Sequence, residues 1–399
     1  MPSDTHADHS GEAMGLIVRA QTLKPTLAAR VTKADELRRI PDETIADFRE
    51  AGFFRMLQPT RWGGLEVDPS TFFDVQMTVA SACPSSAWVL GVVAVHSWQL
   101  ALFPLQAQED VWGKDAGALI SSSYAPTGKV ARAEGGYRIS GRWSFSSGSD
   151  HCQWVFLGGF VPPEAEGRPP EMRTFLLPRS DYTIDDNWHV AGLKGTGSKD
   201  IVVENAFVPE HRTHKLIDGF KRVSPGNAVN PSPLYKLPFG QIFVRSVSTS
   251  AIGAAQGALD AFLDIAAKRV AASDGAKVAE DPTTQTVCAR AAELIDETRT
   301  VLKRNFEEMM NLVRDGKDIA IDRRVRFRHD SAMAVVKCVE AVDLLFTASG
   351  GRAIFLGSPL LRYFLDVHAA RAHYANNPDK PARNLGGVML GAKTVDYFI

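Results

Sequence analysis

The chain has 399 residues, with 45 Lys and Arg against 46 Asp and Glu, for a net charge of -1. That length suggests about two to three structural units, and 45% hydrophobic with 23% charged residues excludes a disordered chain. The balanced charge gives no electrostatic basis for binding nucleic acid or an anionic membrane surface.

The N-terminus, MPSDTHADHSGEAMG, lacks an apolar signal region and reads as a flexible tail over residues 1–14. Residues 16–31 and 34–40 carry helical amphipathicity. Pro41, Asp42 and Glu43 offer a helix start with acids in its first turn. Gly52 ends that helix, Gly63-Gly64 marks a loop, and Ser70 is a candidate cap for the next helix. Residues 75–108 contain no Asp, Glu, Lys or Arg. A membrane span needs about 20 mostly apolar residues. Pro84, Ser85, Ser86, His96, Ser97, Gln99 and Pro104 break this stretch, which favours two fully buried helices, one of them carrying His96.

The pattern changes near Ile120. Residues 137–143, 154–160, 173–177 and 201–208 read as short strands separated by turn residues, an antiparallel β unit over about 119–208. Helical spacing returns over 246–270, 282–314, 323–349 and 360–374, enough for a four-helix bundle. The basic run from Arg323 to His329 reads as a solvated helix face, with a nucleotide or subunit contact as the alternative.

Recognisable chemistry is sparse. No GxGxxG follows a strand, and Gly192-Leu193-Lys194-Gly195-Thr196-Gly197-Ser198 precedes a strand and reads as a tight turn, so no nicotinamide site is expected. Cys83, Cys152, Cys288 and Cys338 lack metal or redox-pair spacing and suggest a reducing, cytoplasmic compartment. His368 and His373 lie about 140° apart on a helix, so they do not share a face, and no metal site is expected. Two hydroxyl clusters remain, Ser121-Ser122-Ser123 and Ser146-Ser147-Gly148-Ser149. Each is compatible with an ordinary strand end, as His96 is with a satisfied core histidine.

Three segments in order resemble the acyl-CoA dehydrogenase superfamily: Gly136-Tyr137-Arg138-Ile139-Ser140-Gly141-Arg142-Trp143, Gly192 to Pro209, and Gly350-Gly351-Arg352 through Asp366. The resemblance implies an α+β fold, with an N-terminal helical domain over 15–118, a middle antiparallel β domain over 119–228, and a C-terminal four-helix bundle with a tail over 229–399. The dehydrogenases' catalytic Glu has no counterpart in Ala372-His373-Tyr374-Ala375-Asn376, which argues against acyl-CoA oxidation.

The chain is more similar to the oxygenase components of two-component flavin monooxygenases, including 4-hydroxyphenylacetate and secosteroid-phenol hydroxylases. Arg39-Ile40-Pro41-Asp42-Glu43, Trp62-Gly63-Gly64-Leu65 and Ile120-Ser121-Ser122-Ser123-Tyr124-Ala125-Pro126 carry that likeness. Phe145 departs from it, standing where Trp is common, and so does the tail over 377–399. The resemblance implies reduced FMN or FAD supplied by a separate NAD(P)H:flavin reductase, O2 as co-substrate, a flavin C4a-hydroperoxide, and hydroxylation of a phenolic, polycyclic or indolic aromatic substrate. It implies that Ser147 and Ser146 lie near the flavin, with Ser147 at N5, and that His373 lies near the peroxide. It further implies that His96 meets the substrate hydroxyl, as a base with a pKa near 7, together with Ser122, which is also a candidate flavin contact. Trp98 and Tyr124 are candidates to line the pocket, and His368 and His151 to pack behind it. A homotetramer is also implied. Other flavin enzymes of this fold, such as nitroalkane oxidases, sulfur-heterocycle monooxygenases and N-oxygenases, are the alternative, followed by a non-catalytic scaffold.

Overall fold

The computed structural model describes residues 4–165, 167–270 and 275–399. The first helix, α1 (Asp4–Ala29), begins well before the expected start. Residues 4–14 of the expected tail are therefore helical, and residues 1–3 lie outside the described residues. The polar first turns extend a helix whose later turns bury Leu16, Ala20 and Leu27, and adding turns to a formed helix costs little.

Next come α2 (Val31–Leu37), α3 (Asp42–Glu50), α4 (Pro69–Ala80), α5 (Pro84–Leu100) and α6 (Leu105–Trp112). The cap of α4 is Asp68, not Ser70: its carboxylate accepts from the Ser70 amide at 2.9 Å, and Pro69 occupies the first helical position. The uncharged segment spans the end of α4, all of α5 and the start of α6, one helix more than the expected pair, and of these only α5 is buried at every residue. Among the described residues no helix is long and apolar enough to cross a membrane.

The middle unit holds two four-stranded sheets. One is ordered β1 (Ile120–Ser123), β4 (Trp154–Val161), β5 (Glu171–Pro178) and β8 (Thr213–Lys215). The other is ordered β2 (Lys129–Ala133), β3 (Gly136–Ser146), β7 (Lys199–Pro209) and β6 (Thr183–Asp185). The pairs are antiparallel except β1 with β4, which is parallel and departs from the expected pattern. Trp143, Val155, Leu157, Phe175, Ile201 and Val203 form the core of the two sheets. At the end of β3 the register with β7 shifts between Trp143 and Ser146, and Phe145 adopts φ 68°. Such an irregularity re-aims side chains. Here Phe145 turns outward, 69% exposed, while Ser146 and Ser147 turn inward and are buried.

A short helix, α7 (Leu216–Lys221), precedes the bundle of α8 (Phe239–Lys268), α9 (Pro282–Arg314), α10 (Ile321–Ala348) and α11 (Pro359–Arg371). The last helix, α12 (Asp379–Met389), packs on α10. The basic run is only partly a solvated face. Arg324 and Arg328 are buried, and Arg324 Nε donates to the Ile399 carbonyl at 3.2 Å. The run straddles both faces of α10, so its inward arginines meet the chain's final residues.

Between the first helices and the bundle the packing leaves no room at Gly91. A Cβ there would stand 2.0 Å from Gln76 Nε2 and 2.9 Å from the Ser246 carbonyl. Gly91→Ala is expected to destabilise the protein by about 1–3 kcal/mol through overpacking. Gly386→Ala, at an uncrowded position of α12, is expected to be neutral or stabilising by up to about 1 kcal/mol. Urea unfolding of both variants checks this, and equal midpoints would contradict it.

Candidate active site

Helix α5 carries two groups of polar side chains. Trp88 and His96 are eight residues apart, about 12 Å along the axis, and each reaches a different part of the β unit.

At the first group, the Trp88 indole N–H donates to Ser147 Oγ at 3.0 Å. Ser147 Oγ lies 2.7 Å from Ser198 Oγ, which lies 2.7 Å from Thr196 Oγ1. The His373 ring stands edge-on to Trp88, with centroids 5.5 Å apart. Its Nδ1 accepts from the Ala375 amide at 3.1 Å, so a neutral ring carries its proton on Nε2. Burial, and then the nearby Arg328 charge, lower the His373 pKa to about 4. Ser146 Oγ is buried and has no hydrogen-bond partner among the described residues. The structure thus brings Ser147 and His373 together through Trp88. Gly148, just after Ser147, packs on α5: a Cβ there would meet Val89 Cγ1 at 2.8 Å.

At the second group, His96 is fully buried, and its Nδ1 lies 2.6 Å from the Ile120 carbonyl. A carbonyl only accepts, so Nδ1 carries the proton and Nε2 presents a lone pair. Nε2 is buried without a hydrogen-bond partner among the described residues. Burial lowers the His96 pKa to about 4, partly opposed by the bond to Ile120. The expected value near 7 is therefore not found: no carboxylate or other anion offsets the desolvation. Phe156 and Tyr124 flank the ring at 5.6 Å and 6.2 Å. Gln99 accepts from the Tyr124 hydroxyl, and the Ser122 side chain lies near the same hydroxyl.

Other candidates fall elsewhere. Trp98 is a packing residue, its N–H donating to the Leu234 carbonyl at 2.9 Å and its ring stacked on Phe239 at 6.0 Å. His368 pairs with Asp343 at 2.8 Å, and His151 bonds to the Ile40 carbonyl at 3.0 Å. Sequence reading missed Trp88, Thr196, Ser198 and Gln99. Trp88 looks like any core aromatic, and the two hydroxyls sit in a segment whose glycines signal only a turn. Among the described residues no cluster of His, Cys, Asp and Glu could hold a metal ion.

The acyl-CoA dehydrogenase N-terminal domain model matches residues 19–116, and the C-terminal domain model matches residues 246–378. Over 382 residues, 96% of this chain and 100% of the relative, the chain is 43% identical to a flavin-dependent monooxygenase, oxygenase subunit HsaA, of Rhodococcus jostii. The chain belongs to the flavin-dependent monooxygenases of the acyl-CoA dehydrogenase fold. It is also 34% identical to the p-hydroxyphenylacetate 3-hydroxylase oxygenase component of Acinetobacter baumannii, over 97% of this chain and 92% of the relative. The crystal structure of 3-HSA hydroxylase from Rhodococcus sp. RHA1 superposes with a TM-score of 0.93 at 41% identity, covering 96% of this chain and 98% of that one.

The monooxygenase is the oxygenase component of a two-component aromatic hydroxylase, using flavin and O2. Its residues fit a flavin edge, which offers both donors and acceptors. The buried Ser146 hydroxyl has no hydrogen-bond partner among the described residues, Ser147 lies beside it, and His373 carries its proton on Nε2.

His96 and His214 are both buried with pKa values lowered to about 4. Between pH 6.5 and 4 the unfolded chain binds protons that the folded chain refuses. Stability is therefore full above about pH 6.5 and falls as the medium is acidified, by up to about 3 kcal/mol per histidine near pH 4. Urea unfolding at pH 7.5, 6 and 5 is expected to show a progressive loss. A stability unchanged from pH 7.5 to 5 would contradict the two assignments.

Proposed function

We propose that this oxygenase hydroxylates a phenol whose hydroxyl donates to His96 Nε2, with FMN or FAD reduced by a separate NAD(P)H-dependent partner and bound at Ser146, Ser147 and His373. The observation that supports this most is His96 Nε2: a buried lone pair with no hydrogen-bond partner among the described residues, on a ring whose other nitrogen is tied to Ile120. Such a group costs about 1–3 kcal/mol unless a ligand satisfies it. When bound, reduced flavin would supply the two electrons that activate O2, one of whose oxygen atoms goes to the ring and the other to water.

The remaining work falls to the protein. His96 draws the phenol proton and raises electron density on the ring carbon that is attacked. A phenolate formed there would raise the His96 pKa, because the opposite charge favours imidazolium. Ser122, beside the Tyr124 hydroxyl, bonds the same substrate. The wholly buried α5 excludes water. The 34% identity to the p-hydroxyphenylacetate 3-hydroxylase component supports a phenol as the substrate. A nitroalkane oxidase reading lacks support, since neither polar group contains a carboxylate. We place the enzyme in the cytoplasm, where its four free thiols would persist.

His96→Ala is expected to lower product yield about a hundredfold near neutral pH, while O2 consumption continues and ends as hydrogen peroxide. The deficit shrinks as pH approaches the phenol's own pKa, about 10. Ser147→Ala is expected to raise peroxide release with or without substrate. Single-turnover product and peroxide yields across pH separate the two. A pH-independent His96→Ala deficit, or unchanged peroxide release in Ser147→Ala, would contradict the roles.

We also propose a homotetramer. Ile354, Phe355 and Leu356, between α10 and α11, are 66%, 68% and 89% exposed, an apolar run that water alone disfavours. Light scattering is expected to give about four times the chain mass of 43.5 kDa. A mass near one chain would contradict this.

A further inference from the structure

The hydrogen bonds behind Ser147 fix the direction of its hydroxyl. The Leu193 carbonyl can only accept, and it takes the Thr196 hydroxyl at 2.9 Å, the Thr196 amide at 3.1 Å and the Trp188 indole N–H at 3.3 Å; we assign the one hydroxyl proton of Thr196 to this carbonyl, the shortest of the three bonds. Thr196 Oγ1 must then accept along its 2.7 Å contact with Ser198, which makes Ser198 the donor there. With its proton so used, Ser198 must accept along the 2.7 Å contact with Ser147. Ser147 therefore donates to Ser198, and it already accepts from Trp88 N–H at 3.0 Å. Its one remaining capacity is a lone pair. All three hydroxyl residues are buried, so water has little access to rearrange the chain of bonds.

The start of this relay is rigid. Leu193 adopts φ 52°, and its amide donates to the buried Asp366 carboxylate at 2.5 Å. Gly192 packs so closely on α11 that a Cβ would stand 2.2 Å from the Leu365 carbonyl. The Thr196 carbonyl accepts from the Gly148 amide at 2.9 Å, which ties the loop to the Ser147 turn.

The geometry points to Thr196 and Ser198 as positioning residues that hold Ser147 as a hydrogen-bond acceptor toward the flavin, so that the site selects the reduced cofactor. This rests on the reading above that Ser147 faces flavin N5. Reduced flavin carries a hydrogen on N5 and can donate to the Ser147 lone pair. Oxidised flavin has only a lone pair at N5, so two acceptors would face each other. The relay thereby favours capture of the reduced cofactor and release of the oxidised one.

The test is the ratio of dissociation constants for oxidised and dithionite-reduced FMN and FAD, measured anaerobically on the full chain without substrate. Thr196→Val removes the hydroxyl that orders the relay while keeping its shape. Its preference for reduced flavin is expected to fall about tenfold, the size of one buried hydrogen bond, and Thr196→Ser should retain the wild-type ratio. Ser198→Ala frees the Ser147 proton without touching the Thr196 bond to Leu193, and should also lose the preference. It serves if Thr196→Val does not fold. If both variants keep the wild-type ratio while Ser147→Ala loses it, the relay is wrong although Ser147 faces the flavin. If Ser147→Ala keeps the ratio as well, Ser147 does not face N5, and the relay inference falls with the flavin-site reading.

Discussion

The structure depends on a wholly buried helix without a charged residue. Every polar side chain on α5 must find a partner away from water or bear the cost of lacking one. Trp88 reaches Ser147, Ser97 reaches the Phe54 carbonyl, Trp98 reaches Leu234, and Gln99 accepts from Tyr124. His96 satisfies one nitrogen on Ile120 and leaves the other bare. The same burial that excludes water keeps that ring neutral, with its pKa lowered to about 4. A neutral imidazole with a fixed proton is a directional acceptor, which is what a substrate hydroxyl requires.

The β unit supplies partners to both ends of this helix. β1 receives the His96 proton at Ile120, and Ser123 of β1 donates to the Ser144 carbonyl of β3 at 2.7 Å. The turn that follows the β3 irregularity presents Ser147 to Trp88. Trp88, Ser147 and His96 are therefore set by one helix and two linked strands, while Thr196 and Ser198 come from the turn before β7 and His373 from the segment after α11. Farther out, Phe398 packs edge-on to Phe239 and Phe243, which in turn flank Tyr124. The last residues thus form part of the apolar wall around Tyr124, whose ring stands edge-on to His96.

Much of this was legible in the sequence. The charge-free stretch announced a buried helix, strand alternation marked β3 and β7, and the resemblance named Ser147 and His373, which meet at Trp88, and His96, which is buried on the same helix. Trp88 was not legible, because an aromatic in an apolar helix looks the same whether or not its N–H serves a site. Thr196 and Ser198 were hidden for a similar reason: the glycines around them signal a turn, while the proton direction depends on the Leu193 carbonyl, which only the folded loop brings into reach. Arg324 and Arg328 were misread because a dense basic run resembles a solvated face until α10 is packed. The His96 pKa was misjudged because a motif does not report that every neighbour is neutral.

The most direct test of the central claim is the tautomer of His96, read by nitrogen NMR of histidine-labelled protein with a His96→Gln variant for assignment. The account predicts a neutral ring protonated on Nδ1 and bare on Nε2 from pH 6 to 8. On addition of a phenol, the Nε2 signal should move toward that of a protonated nitrogen while Nδ1 keeps its proton. A ring protonated on Nε2 in the free protein, or an Nε2 signal indifferent to the phenol, would contradict the account.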